Sequence, residues 1–279
     1  MSDELHPFLF IYFKSLLLGI IQGFTEFLPI SSTAHLKVFP HLFGWSDPGV
    51  SFSASLQLGS AFAIIYYFRE EISVIINSFF SISTYRSVSE DDNKRLANYI
   101  ILANIPIFLL GFLIKFFWPD FSDSNFRSLF FIALISIFMA LLLAASEIYG
   151  RKNKLFSDIN LRDVILLGIS QSLAIFPGVS RSGITLTSAL FSGVERKTAA
   201  RLSFLIGIPA ISISGFVEFF TILRTSSVID ILPIIIGIIS SFFSSIFAID
   251  LFLKFVAKNN TFAFVYYRLA FGALILSTL

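Results

Sequence analysis

Apolar runs long enough to cross a bilayer recur at about 50–68, 98–117, 127–149, 200–222, 229–253 and 261–279. A spanning helix needs about 20 predominantly apolar residues, so this pattern predicts six transmembrane helices. Two further apolar segments are interrupted. Pro29 opens a run of small polar residues in one, and Pro177-Gly178 cuts the other. Broken backbone at membrane depth is tolerated only where protein or a wet cavity surrounds it. Residues 8–44 and 161–193 are therefore expected to form two opposed re-entrant helical hairpins whose bends meet near the midplane.

The two interrupted segments are versions of one another. LLGIIQGFTEFLPISST at 17–33 and LLGISQSLAIFPGVSRS at 166–182 align without a gap. With three spans after each hairpin, the chain divides into halves of about 1–149 and 150–279, expected to be inverted-topology repeats within a single membrane domain. Arg69, Arg86, Lys94, Arg95, Arg151, Lys152, Lys154, Arg196, Lys197, Arg201, Lys254 and Lys258 all fall in intervals on one side of this arrangement. The opposite intervals, around 119–125 and 223–230, hold only Arg224, so the positive-inside rule places both termini outside the cytoplasm. The mixed-charge stretch STYRSVSEDDNKR at 83–95 is expected to be a solvated cytoplasmic linker.

Composition agrees with a membrane protein. The chain is 56% hydrophobic and 14% charged with a mean hydropathy of +0.84, against the roughly 25% charged residues of a soluble domain. No cysteine is present, which excludes disulfides and thiolate metal sites, and a formal charge of +2 gives no reason to expect nucleic acid. The first residues, MSDELHPF, lack a basic n-region and a small-residue cleavage site, so no removable signal peptide is expected.

The repeat copies share a scaffold but divide the chemistry. In the first, Gln22 and Glu26 are spaced i, i+4 on one helix face, followed by Pro29, Ser31, Ser32, Thr33 and His35. In the second, PGVSRSGIT places Ser180, Arg181, Ser182 and Thr185 around a turn that opens a helix. Such a turn directs N–H groups and a positive helix end at an anion, and an arginine fork suits phosphate oxygens. Phosphate ligands, a carboxylate able to hold a divalent cation and an imidazole together point to phosphoryl chemistry at a membrane.

Simpler readings exist for each residue. Ser and Thr in membrane helices often bond their own backbone, and Gln22 and Gln171 could be hydrogen-bonding glue between helices. Glu26 and Arg181 could form a structural ion pair. A charge at the bilayer centre costs at least about 2.5–3.5 kcal/mol, so both demand an explanation. Glu147, Glu218 and Lys115 read as interfacial or snorkelling residues, and Asp250 and Lys254 as an i, i+4 pair. The abundant phenylalanines read as lipid-facing bulk.

QGFTEFLPISSTAHL and PGVSRSGITLTSALFSGVERKTAARLSFLIGIPA closely resemble the two signature regions of the bacterial undecaprenyl-diphosphate phosphatase family of the bacitracin-resistance type. FSASLQLGSAFAIIYYFR is similar to that family's next helix. The resemblance implies a multi-pass enzyme of the bacterial inner membrane that removes the terminal phosphate of undecaprenyl diphosphate and recycles the carrier for peptidoglycan and envelope polymers. It also implies a site toward the periplasmic or outer face, a supporting Mg2+ or Ca2+, and a homodimer. Gln22 and Glu26 match the family's (Glu/Gln)-x-x-x-Glu pattern; Ser32, Thr33 and His35 match Ser-Ser-Thr-x-His; Ser180, Arg181 and Ser182 match Pro-Gly-x-Ser-Arg-Ser. Gln22 stands where many members have glutamate, and Ala34 where many have glycine.

These roles suggest that Arg181, with Ser180, Ser182 and Thr33, holds the diphosphate. Glu26, aided by Gln22, would position the cation. His35 is either the base that activates Ser32 or water, or itself the nucleophile. The competing class is a transporter or flippase of an anionic lipid or small anion, since inverted repeats with broken helices are also a transporter plan. A membrane phosphatase of the phosphatidic-acid type would bring a Lys-Arg-Pro element and two separated histidines, an arrangement this chain lacks.

Overall fold

The computed structural model describes residues 2–80, 88–225 and 228–279 and is α-helical, with one isolated β-bridge, Lys154 to Val194, among the described residues. Its helices are α1 (Ser2–Phe27), α2 (Ser32–Leu42), α3 (Val50–Tyr67), α4 (Arg69–Phe80), α5 (Val88–Phe117), α6 (Leu129–Tyr149), α7 (Leu161–Ser172), α8 (Arg181–Phe191), α9 (Arg196–Thr225), α10 (Val228–Val256) and α11 (Phe262–Ser277). Part of the predicted linker at 83–95 lies outside the described residues. From Val88 onward it is the first turns of α5 rather than loop.

Six helices are long and apolar enough to cross a membrane, within Leu9–Phe27, Val50–Tyr67, Asp92–Phe117, Leu129–Tyr149, Arg196–Arg224 and Ile231–Val256. The number matches the sequence expectation and the membership does not. α1 runs unbroken to Phe27 because its polar residues find partners across the fold, whereas α11 has only 16 residues. α2, α7 and α8 have 11, 12 and 11 residues. At 1.5 Å per residue each reaches about 16–18 Å, against a hydrocarbon core of about 30 Å.

The helices pack mainly in pairs. α1 lies on α10 and its repeat equivalent α7 on α5; α3 lies on α10 and α9 on α5; α3 meets α9, and α6 meets α11. Glycine sets the closest approaches. A Cβ on Gly19 would lie 2.2 Å from the Gly237 carbonyl oxygen of α10, and one on the equivalent Gly168 would lie 2.8 Å from the Ala103 carbonyl oxygen of α5. Small residues at such seams let backbones approach within van der Waals contact, the main attraction available between helices in lipid. Large apolar side chains on α1, α3, α5, α6 and α10, including Phe13, Phe62, Phe112, Phe138 and Phe243, face outward, as lipid contact requires.

One acidic residue departs from the sequence expectation. Glu147 is buried at the end of α6 and accepts from the Arg196 guanidinium, from Thr261 Oγ1 at 2.8 Å and from Thr261 N at 3.2 Å, joining α6, α9 and α11. Glu218 on α9 accepts from Ser51 Oγ of α3 at 2.8 Å. Asp250 and Lys254 do form their pair, at 2.6 Å.

Candidate active site

The breaks in the repeat copies create the site. α1 ends at Phe27 and α2 begins at Ser32; α7 passes through a 3-10 turn, Leu173–Ile175, and α8 begins at Arg181. The residues before the new helices, Ser31 and Ser180, occupy equivalent repeat positions. Both have positive φ, 75° and 69°. Each caps its helix, Ser31 Oγ accepting from Ala34 N at 3.4 Å and Ser180 Oγ from Gly183 N at 3.1 Å. Left-handed backbone at a residue with a side chain costs of order 1–3 kcal/mol and persists where the surroundings over-determine it. Here it brings the starts of α2 and α8 against the end of α1.

At that junction Glu26 is the hub. Its Oε2 accepts from Ser32 Oγ at 2.6 Å and from Gln22 Nε2 at 2.9 Å, and Oε1 accepts from Arg181 Nη2 at 3.2 Å. Ser182 Oγ donates to the carbonyls of Glu26 and Leu28, both at 3.0 Å. The second guanidinium arm, Nη1, donates to the Ser203 carbonyl of α9 at 3.2 Å, and Nε has no protein partner. Glu26, Ser32, Gln22, Arg181 and Ser182 are all buried. The ion pair weighed above as a structural alternative therefore exists, and the same carboxylate also carries the Ser32 hydroxyl.

The other expected residues sit around this hub. Thr33 is exposed beside it, with Oγ1 3.1 Å from Ser31 Oγ, and Ser180 Oγ lies 3.3 Å from Ser182 Oγ. His35 is buried, its ring stacked on Phe271 at 4.2 Å between centroids. Its Nδ1 lies 2.7 Å from the Ser31 carbonyl, which can only accept, so Nδ1 carries the proton and Nε2 accepts from Tyr267 OH at 2.6 Å. No hydrogen bond joins His35 to Ser32 among the described residues; Ser32 Oγ donates to Glu26 instead.

The paired glutamines have diverged. Gln171 Nε2 donates to Ala103 O at 3.3 Å and Asn104 Oδ1 at 3.2 Å, which is helix–helix glue, whereas Gln22 donates to Glu26. Each leaves its Oε1 unpartnered, so the orphan oxygen belongs to the scaffold and the nearby carboxylate is what distinguishes Gln22. Among the described residues no cluster of three acidic or histidine ligands is present. Mg2+ commonly binds through one or two carboxylates plus substrate phosphates and water. Glu26 and the Gln22 amide oxygen fit that kind of site, provided the diphosphate supplies other ligands.

Two contributors were not anticipated from sequence. Arg268 of α11 is 1% exposed and donates to the carbonyls of Pro29, Gly178, Val179 and Ser136, clasping both turns. It is a lone arginine inside an apolar segment, and that was the available signal. Gly207 of α9 makes room for Arg181, since a Cβ there would fall 1.7 Å from Nη1 and 2.3 Å from Cζ. Gly207→Ala is expected to push the guanidinium off Glu26 and lower turnover about a hundredfold, the scale of a misplacement near 1 Å. Parallel measurement of turnover and thermal stability checks this; unchanged turnover would show that the fork has another productive position.

Comparison with known proteins adds the identity of the group. The family model of the bacitracin resistance protein BacA matches residues 15–274. The chain belongs to the BacA family. A protein of Prochlorococcus marinus strain NATL1A named undecaprenyl-diphosphatase is 73% identical over 279 residues, covering all of both chains. Proteins of the same name from P. marinus strain MIT 9313 and Synechococcus sp. strain CC9902 are 47% and 48% identical, covering 95% and 93% of this chain and 88% and 92% of their own lengths. With its six apolar helices, this BacA-family chain is a multi-pass membrane protein.

Proposed function

We propose that this protein hydrolyses undecaprenyl diphosphate to undecaprenyl phosphate and orthophosphate, recycling the lipid carrier for peptidoglycan and envelope polymers and thereby conferring bacitracin resistance. The observation that carries this reading is Ser32 Oγ hydrogen-bonded to Glu26 while Arg181 shares the same carboxylate. Binding and release alone, as in a flippase, would need no hydroxyl poised on a base. Relatives named for this activity at up to 73% identity support it.

Ser32 Oγ attacks the terminal phosphorus, the bridging P–O bond breaks, and the lipid monophosphate leaves. The serine proton passes to Glu26 and on to the departing phosphate. Water then attacks the phosphoserine, giving a proton to Glu26; the Ser32 Oγ–P bond breaks, Glu26 returns that proton to Ser32 Oγ, and orthophosphate departs. Arg181 leaves Glu26 to hold the phosphoryl oxygens, with Ser180, Ser182 and Thr33 as further donors. His35 fixes the Ser31 carbonyl and so the attitude of Ser32. Mg2+ or Ca2+, held by Glu26 and Gln22, would supply neutralising charge to the phosphates.

In this reading α7–α8 is a re-entrant hairpin and α1–α2 its inverted-repeat counterpart, with α1 itself long enough to cross. Their short members favour this, since α2, α7 and α8 are too short to span. The protein sits in the bacterial inner membrane with its site toward the periplasmic or outer face, as the basic residues of the intervals suggest, and the family resemblance favours a homodimer. Release of orthophosphate from a long-chain polyprenyl diphosphate by purified protein in detergent, with and without chelator, tests the activity; none at any cation level would favour transport.

Gln22→Glu tests the cation. A second carboxylate beside Glu26 should lower the Mg2+ needed for half-maximal activity severalfold in a stable protein. If Gln22 only packs, the new charge is buried without a partner, and thermal stability falls with no change in cation response. An unchanged cation curve in a stable, active variant would remove the metal from this position.

A further inference from the structure

We propose that a cleft outside the two turns is a second phosphate site, one that holds the phosphate remaining on the lipid. The cleft encloses about 50 Å³ and is lined in part by Thr33, Lys37, Asp47, Gln57, Arg127 and Pro177. One water needs roughly 10–15 Å³ of such space, so the cleft has room for a small polar group. Its inner wall is made in part by chain neighbours of the reaction centre. Thr33 follows Ser32, and Pro177 opens the turn that carries Arg181.

The outer wall holds two cations from different elements. Lys37 stands four residues beyond Thr33 on α2, hence on the same helix face, and Arg127 ends the 3-10 turn Asn125–Arg127 before α6. Lys37 Nζ lies 3.3 Å from Asp47 Oδ2, with side chains 26% and 46% exposed. An ion pair so accessible to water is worth at most about 1 kcal/mol. A phosphate bearing more charge than a carboxylate can therefore draw Lys37 away at little cost. Asp47 is the resting partner of Lys37 and its competitor with the ligand.

The need for such a site comes from the substrate class. A diphosphate brings two phosphates, whereas Glu26, Ser32 and Arg181 converge on a single centre and can act on one. The other must lie within one bridging oxygen of it, still charged, and the cleft adjoining Thr33 and Pro177 has Lys37 on its wall. This assignment rests on the phosphatase reading above and deepens it: Lys37 and Arg127 select a diphosphate over a lone phosphate and hold the monophosphate product before release.

The test uses the purified full chain in detergent with a long-chain polyprenyl diphosphate. Lys37→Gln should raise KM about tenfold with kcat changed by less than about twofold, the loss of roughly one charge-assisted contact. Inhibition by the polyprenyl monophosphate should weaken by the same factor, while inhibition by orthophosphate stays unchanged. Lys37→Arg should restore both, and Asp47→Asn should lower KM. An unchanged KM and unchanged monophosphate inhibition in Lys37→Gln would overturn the assignment. Equal weakening of orthophosphate inhibition would also overturn it, by moving Lys37 to the transferred phosphate. Absence of phosphate release from the wild type would instead sink the phosphatase reading beneath it.

Discussion

Ser32→Ala is expected to lower phosphate release at least about a thousandfold while leaving thermal stability close to that of the wild type. The hydroxyl donates to Glu26 Oε2 at 2.6 Å. Without it the carboxylate keeps Gln22 and Arg181, so no buried charge is stranded and the cost to stability is about 1 kcal/mol. Turnover loses its nucleophile, and the remaining donors can only bind and polarise, an effect of a different order. Rapid acid quenching and mass spectrometry of the wild type should find phosphate on Ser32. His35→Ala should lose less turnover than Ser32→Ala, because His35 acts through the Ser31 carbonyl. Phosphate recovered on His35, or a Ser32→Ala protein with substantial turnover, would return the nucleophile to the imidazole.

Much of this site was legible because charge in an apolar segment is costly and therefore conspicuous. Glu26 and Arg181 stood out for that reason, and the structure pairs them. The breaks at Pro29 and Pro177-Gly178 were equally readable, since proline and glycine mark where a helix cannot continue. What stayed hidden depends on residues distant in sequence. Gln22 and Gln171 are equivalent in the repeat and differ because one faces Glu26 and the other faces Asn104. The Tyr267 hydroxyl that His35 Nε2 meets lies far along the chain. Glu147 looked interfacial because its partners Arg196 and Thr261 belong to other helices. The set of long helices also changed, because the polar residues near the end of α1 are satisfied by α2 and α8, which no local pattern reveals.

Arg268 carries the second large expectation. Its guanidinium donates through Nε to Ser136 O at 3.2 Å, through Nη1 to Pro29 O at 3.1 Å and Val179 O at 3.2 Å, and through Nη2 to Gly178 O at 2.6 Å. Pro29 belongs to the turn before Ser32, and Gly178 and Val179 to the turn before Arg181. One planar group thus sets the distance between the two halves of the reaction centre, a task that needs donors spread over a rigid fork. Arg268→Met would leave these buried carbonyls without their donor, at about 1–3 kcal/mol for each one that finds no other. That is comparable to the whole stability of many domains, and loss of folded protein is the expected result. Arg268→Lys separates positioning from folding. A single ammonium keeps the charge and can reach some of the carbonyls, but it cannot bridge both turns as the fork does. The protein should fold with a Tm lowered by several degrees, while turnover falls about a hundredfold through kcat because Ser32 and Arg181 are no longer held in register. Phosphate release and thermal melting measured on the same preparation decide the matter. A stable Arg268→Lys protein with wild-type kcat would mean that α1, α2 and α8 hold the two turns together without the clasp.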